Sequence, residues 1–163
     1  MVVANTRIVR PDKPTANHPA FESIAERTKQ SIGYVCLTIF TWNPSDCSLQ
    51  RVYSTDQVNW PTGGAKYMPM DAPWPQTVLV RQEVHACMTV DEIQSTYNDA
   101  TAIRSLGAGM LICVPAVKDG VTLGALNFIG REGDYDEASI RAMRNAARDA
   151  VDVFAGLGGS HTS

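Results

Sequence analysis

The sequence predicts an α+β fold in which one antiparallel β-sheet carries helices packed mainly on one of its faces. Two pairs of strand-like segments are each joined by a short turn, as in β-hairpins, and amphipathic helical segments stand near both ends of the chain. The chain has 163 residues, of which 44% are hydrophobic. This length and composition suit one domain with a substantial core.

The first elements are a helix and a hairpin. The helix is predicted to begin at Pro19, because proline suits the first turn of a helix, and to end before Gly33. Segments 34–42 and 48–54 are rich in β-branched and aromatic residues, so they are predicted to be paired strands. Residues 1–17 have no sustained periodicity, and we expect them to form an arm outside the core.

The middle of the chain is irregular and rich in large side chains. Prolines and glycines interrupt segment 55–72, which is predicted to be a loop. A short helix is expected around Trp74 and a short strand at 84–88. Thr89 and Glu92 form a capping-box pattern, which predicts the start of another helix.

The last third contains two apolar strands, at 110–117 and 122–129, joined by an Asp119-Gly120 pair that favours positive φ angles in a tight turn. Pro115 is expected at a bulge or an edge of pairing, and Gly124 at a close approach of another element.

A long amphipathic helix is predicted to follow, with Asp134 and Glu137 forming a capping box at its start. Its apolar face comprises Ile140, Met143, Ala147, Ala150 and Phe154. Because residues 157–163 are rich in glycine, we expect them to form a flexible tail, which leaves 18–156 as the domain.

Three segments around the predicted strands carry a family resemblance. They are Gly33-Tyr34-Val35, residues 105–115 (SLGAGMLICVP) and residues 120–127 (GVTLGALN). Together with the order of elements, they resemble the GAF domains, small-molecule-sensing relatives of PAS domains, over about residues 18–156. The resemblance implies a GAF/PAS-like sheet with a ligand pocket on one face. The roof of this pocket would be the long loop and the helical segment between the second predicted strand and the strand that contains Cys113.

Large side chains concentrate in the segment that would roof this pocket, and pockets are mostly apolar with a few orienting polar groups. Asn127 adds a polar group to an apolar strand, so it must bond to backbone or to a ligand if it is buried. The alternative is that these side chains fill the pocket themselves. The predicted ligand-binding residues are Trp60, Tyr67, Met70, Trp74, His85, Tyr97, Cys113 and Asn127.

The four cysteines, at positions 36, 47, 87 and 113, lack the close pairing of zinc or redox motifs, so no metal site and no cofactor are predicted. His85 and Cys87 would share one side of a strand, and Cys113 could approach them. If the protein is an enzyme, these three residues are the catalytic candidates. Otherwise the sequence predicts no catalytic residue.

The resemblance also bears on activity. Free methionine-(R)-sulfoxide reductases of this family carry a Gly-x-Cys-Gly element, and the corresponding segment 74–79 here has no cysteine. A small thiol-dependent enzyme of that type is therefore the disfavoured alternative. The adjacent Cys-His pair of bilin-binding members and the Asn-Lys-Phe-Asp-Glu sequence of cyclic-nucleotide-binding members are also absent from the sequence.

Charge and hydropathy limit the partners. The net charge is −3, from 14 basic and 17 acidic residues without long blocks, which argues against nucleic acid. No apolar run approaches the roughly 20 residues that span a bilayer, so we expect no membrane partner and a cytoplasmic location. The sequence thus predicts a stand-alone domain that binds a small organic ligand and has a sensory or regulatory role, as a homodimer or through a protein partner.

Overall fold

The computed structural model describes residues 7–11, 15–97 and 100–159, and the described part is built on a seven-stranded antiparallel sheet. The strands are β1 Arg7–Val9, β2 Cys36–Asn43, β3 Ser48–Ser54, β4 Gly63–Tyr67, β5 His85–Cys87, β6 Met110–Lys118 and β7 Val121–Gly130. Their order across the sheet is β1-β4-β3-β2-β7-β6-β5. The predicted α+β fold with an antiparallel sheet is confirmed.

Helices connect and cover the strands. A 3₁₀ turn at Pro19–Phe21 leads into α1 (Glu22–Ser31), and α2 (Pro73–Pro75) continues as a π-helical turn at Gln76–Val80; the others are α3 (Val90–Thr96), α4 (Ala100–Ser105) and α5 (Glu137–Gly159). Of the helices in these residue ranges, none has the length and apolarity needed to cross a membrane.

Both predicted hairpins are confirmed, and strand β2 joins them by pairing with β3 on one side and β7 on the other. The turn between β6 and β7 has positive φ at Asp119 (51°) and Gly120 (77°), as its residue types indicate. Thr89 caps α3 by accepting a hydrogen bond from the Glu92 backbone N–H at 3.2 Å.

The main core lies between one face of the sheet and the helices α1 and α5. Alternate residues of the central strands point into it, among them Leu37 on β2 and Phe128 on β7, both with 0% exposure. The rings of Phe21 and Phe154 meet there at 5.1 Å. Burying one such side chain contributes about 1.5–3 kcal/mol to folding, so this layer holds the helices on the sheet.

The expected close approach at Gly124 is confirmed. A Cβ atom at this position would collide with the carbonyl oxygen of Phe40 on β2 and would lie 2.6 Å from Cε1 of Phe154 on α5. Glycine therefore allows α5 to pack directly on β7.

Two strands differ from the sequence-based expectation. Arg7–Val9 lies within the predicted arm, and Gly63–Tyr67 within the predicted loop, yet they pair with each other as β1 and β4. β4 also pairs with β3. Both strands are short, β1 is exposed along its length, and β4 starts with two glycines at positive φ, so neither carries an alternating apolar pattern.

The ends of α5 also differ from expectation. Asp136 caps its start, accepting a hydrogen bond from the Ser139 backbone N–H at 2.9 Å, whereas Asp134 accepts one from the Arg131 N–H in the preceding turn. A carboxylate one residue before the first helical turn is better placed for capping than Asp134. The helix continues to Gly159, so residues 157–159 of the predicted tail are helical, and 160–163 lie outside the described residues.

Replacing Gly124 with alanine should destabilise the protein by about 1–3 kcal/mol, because the new methyl group overpacks the contact with β2 and α5. Gly156 provides the matched control, since it lies in α5 with no atom within 4 Å of an added Cβ. Gly156→Ala should stabilise the protein by up to about 1 kcal/mol through helix propensity. Urea denaturation of both variants measures the two free energies, and equal stability of G124A and the wild type would contradict the packing argument.

Candidate ligand-binding pocket

A cavity of about 390 Å³ lies on the face of the sheet opposite α1 and α5. Side chains that alternate with the core residues form its floor, as the two-residue period of a strand requires. The floor residues are Thr38, Phe40, Leu49, Leu111, Asn127 and Ile129. The volume is within the range of about 300–1,000 Å³ typical of small-molecule sites.

The roof comes from the irregular middle of the chain. Trp60 follows β3, Trp74 lies in α2, Tyr97 follows α3, and Ile103 lies in α4. Trp60 and Trp74 are only 5% and 4% exposed. The Trp74 ring packs against Phe40 of the floor at 5.8 Å between ring centroids. Aromatic side chains thus enclose the cavity from above.

The strands that the sequence did not indicate close the remaining side. β1 and the residues after it contribute Ile8, Val9, Arg10 and Pro11, and β4 contributes Gly63, Ala65 and Lys66. The edge of the sheet therefore forms a wall of the pocket.

Asn127 is the polar centre of the floor. Its Cα partners are Thr38 on β2 and Cys113 on β6. Its buried Oδ1 atom accepts no hydrogen bond from any described residue, and the buried Nε1–H of Trp74 likewise donates none. A buried polar group without a hydrogen-bond partner lowers the stability of the folded state by about 1–3 kcal/mol. Two such groups at one cavity would be unusual if their role were purely structural.

Basic residues in the lining are a feature that sequence reasoning missed. Arg51 of β3 and Lys66 of β4 line the cavity together with Arg10. The sequence contained a signal for Arg51. It lies two residues after the apolar Leu49 on a predicted strand, and residues at that spacing share one face of the sheet. Lys66 had no such signal, since its strand was not predicted.

Four of the eight predicted ligand-binding residues line the cavity: Trp60, Trp74, Tyr97 and Asn127. The other four, Tyr67, Met70, His85 and Cys113, are not among the lining residues. Tyr67 ends β4 with the Arg7 guanidinium 3.9 Å from its ring centroid, and Met70 packs against the cluster that contains Trp74.

His85 and Cys113 are Cα partners on β5 and β6, so the structure brings the predicted histidine and thiol together. The His85 ring meets the ring of Tyr97 edge-on at 6.4 Å, and its buried Nδ1 has no hydrogen-bond partner among the described residues. Burial lowers the pKa of His85. Neutral imidazole is therefore favoured at this position.

The candidate thiols are buried. Cys87 is 1% exposed and Cys113 is 0% exposed, and burial raises the pKa of both. Both thiols are therefore protonated near neutral pH. Within residues 7–11, 15–97 and 100–159 there is no group of three or more His, Cys, Asp or Glu side chains that could hold a metal ion.

The similarity of this protein to known proteins is one of structure. Neither a protein-family model nor a curated protein matches the sequence. The fold is similar to the GAF domain of a two-component sensor histidine kinase from Bacillus halodurans, with a TM-score of 0.69, 8% identity, and coverage of 88% of this chain and 97% of that one.

Two further solved structures share the fold. The GAF domain of an Acinetobacter phosphoenolpyruvate-protein phosphotransferase matches with a TM-score of 0.65 and 11% identity, covering 89% of this chain and 86% of that one. The type II free methionine-R-sulfoxide reductase of Thermoplasma acidophilum matches with a TM-score of 0.64 and 8% identity, covering 83% and 89%. The resemblance found in the sequence is thus confirmed at the level of architecture, and this protein has the fold of a GAF domain.

Proposed function

We propose that this protein binds a small organic molecule in the 390 Å³ cavity and has a sensory or regulatory role. The observation that carries the proposal is the pair of unpartnered polar atoms, Asn127 Oδ1 and Trp74 Nε1–H, at an otherwise mostly apolar pocket. A ligand that accepts from one and donates to the other would remove both desolvation costs.

The structural neighbours support the regulatory part of the proposal. Two of these neighbours are GAF domains of a sensor histidine kinase and of a phosphoenolpyruvate-protein phosphotransferase. A fold hosts many functions, so the likeness supports this role by analogy, whereas the pocket supports it by chemistry.

A thermal-shift screen of metabolites should find a ligand that stabilises the protein, and Asn127→Leu should weaken that effect. At a ligand concentration of 100 times Kd, binding raises the free energy of unfolding by about 2.7 kcal/mol. For a chain of this size that corresponds to a rise in Tm of roughly 5–11 °C. Leucine has the same branching as asparagine but no hydrogen-bonding group, so N127L should keep or raise the Tm of the free protein while losing most of the ligand-induced rise.

Asn145→Leu serves as the matched control, because Asn145 is exposed on α5, away from the cavity. This variant should show the full ligand-induced rise. If N127L also keeps the full rise, the ligand binds elsewhere and the assignment of this pocket fails.

The thiol-enzyme alternative receives no support from the geometry. Reactive cysteines are exposed and have a lowered pKa. Cys87 and Cys113 are buried, and burial raises the pKa of both thiols. The similarity to a sulfoxide reductase is one of fold. We therefore retain ligand binding as the function that the site supports best.

Thiol titration tests this choice. Cys47 is half-buried in the turn between β2 and β3, whereas Cys36, Cys87 and Cys113 are at most 1% exposed. Ellman's reagent should therefore modify one thiol per native chain and four after unfolding in guanidinium. Cys47→Ser should abolish the native reaction. Rapid modification of Cys87 or Cys113 in the native protein would instead favour the enzyme.

The proposed role also includes a homodimer or a protein partner, because a ligand signal needs a surface through which to act. Helices α1 and α5 pack side by side, with the Arg27 guanidinium 3.6 Å from the Asp149 carboxylate, and we propose their outer surface as the dimer contact. Arg144 and Arg148 are exposed there.

Sedimentation velocity should give a mass of twice the 17.7 kDa of the chain. Reversing two charges with Arg144→Glu and Arg148→Glu should shift the protein to monomer, because the reversal converts attraction between these arginines and acidic groups of the second copy into repulsion. Arg131→Glu, in the turn before α5, is a control that should leave the dimer intact. A wild-type monomer at all concentrations would contradict the dimer.

A further inference from the structure

One row of polar side chains crosses the cavity face of the sheet. Thr38 of β2 is the Cα partner of Asn127 on β7, which also pairs with Cys113 of β6. His85 of β5 is in turn the partner of Cys113. Directly opposite residues of paired strands share one face, and neighbouring strands lie about 4.8 Å apart. The four side chains therefore form a line of hydrogen-bonding groups across four strands.

Only half of this polar row is open to the cavity. Thr38 and Asn127 line the cavity, whereas Cys113 and His85 are not among its lining residues. Tyr97 lines the cavity, and its ring meets the His85 ring edge-on at 6.4 Å. Tyr97 also packs against the buried cluster that contains Cys113. It therefore covers the far half of the row and leaves Thr38 and Asn127 facing a ligand.

Apolar side chains flank the polar row on both sides. Phe40 of β2 and Ile129 of β7 each lie two residues along the strand from the row, in opposite directions and at about 6.7 Å from it. Trp74 belongs to the same buried cluster as Phe40, and Trp60 to the same cluster as Ile129. A flat molecule with a polar edge suits this arrangement, because its edge can meet the row while its two faces contact apolar side chains.

The side chain of Asn127 specifies the chemistry of that edge. A carboxamide presents an acceptor oxygen and an NH₂ donor side by side. The buried Oδ1 atom of Asn127 accepts no hydrogen bond from any described residue. A cyclic amide presents the complementary pair, an N–H donor next to a C=O acceptor, so two parallel hydrogen bonds can form. The second lone pair of that carbonyl oxygen can accept from the Thr38 hydroxyl in the same row.

We infer that the pocket takes a flat cyclic amide, bound with its N–H and C=O edge on Asn127 and Thr38. Its two faces lie towards the sides of the cavity that carry Trp60 and Trp74. This inference rests on the proposed function and adds the chemical class of the ligand and its orientation on the sheet.

The test compares two probes of one shape, 2-quinolone and the neutral 2-methylquinoline. Both have the same fused-ring body, but the second has a methyl group in place of the carbonyl oxygen and a bare ring nitrogen in place of the N–H. Binding of each probe to the full chain is measured by calorimetry. The cyclic amide should bind about tenfold or more tightly, because 2-methylquinoline leaves Asn127 Oδ1 without a donor.

Two variants test the contacts with the edge. Asn127→Leu should abolish the preference for 2-quinolone, and Thr38→Val should reduce it about threefold or more, while neither weakens 2-methylquinoline. Thr41→Val is the matched control and should keep the full preference. Thr41 lies on the same strand outside the cavity lining, with its hydroxyl 3.4 Å from the Gln50 carbonyl oxygen. Equal affinities of the two probes, an unchanged preference in both N127L and T38V, or no binding of 2-quinolone overturns the inference.

Failure of this inference is distinguishable from failure of the proposed function. If 2-quinolone shows no preference or no binding, while a metabolite from the thermal-shift screen loses its effect in N127L, the pocket stands as a ligand site and the cyclic-amide class is wrong. If neither probe nor any metabolite binds in a manner that N127L weakens, both the pocket assignment and the cyclic-amide class fail.

Discussion

The register of strand β7 is the constraint on which both faces of the sheet depend. Leu126 and Phe128 point into the core beneath α1 and α5, while Asn127 and Ile129 point into the cavity. A slip of one residue would exchange the two sets and place an amide in the core. The close packing of α5 and β2 around Gly124 opposes such a slip, because a shift of one residue would bring the Cβ atom of Leu123 or Ala125 into the contact.

The cavity face of the sheet is less completely covered than the core face, and this difference supports the proposed position of the ligand site. On the core side, two helices cover the sheet and the central residues have 0% exposure. On the other side, Trp60 and Trp74 span the sheet without filling the space beneath them. Leaving Asn127 Oδ1 unpartnered costs free energy that a purely structural layer would avoid, and such exceptions in native structures are concentrated at functional sites.

The periodicity of apolar residues determined how much of the fold could be predicted from the sequence. The strands of both hairpins and the helix α5 carry long, regular apolar patterns, and their prediction was correct to within a few residues. β1 and β4 are stabilised by pairing with each other at the sheet edge, which a local pattern does not encode. Their omission hid Lys66, and it also placed Tyr67 among the expected pocket residues although it packs with Arg7.

The same strand geometry provides a connection between cavity and helices. Asn127 lies between Leu126 and Phe128, whose side chains pack in the layer that holds α5. A ligand that draws Asn127 towards the cavity would act on this layer through the backbone of β7, since close-packed interiors transmit strain. Packing continuity alone does not make a switch, because coupling requires an element with two arrangements whose balance the ligand shifts. A partner bound at the outer surface of α1 and α5 would change that balance. An output of this domain is therefore best sought at this surface.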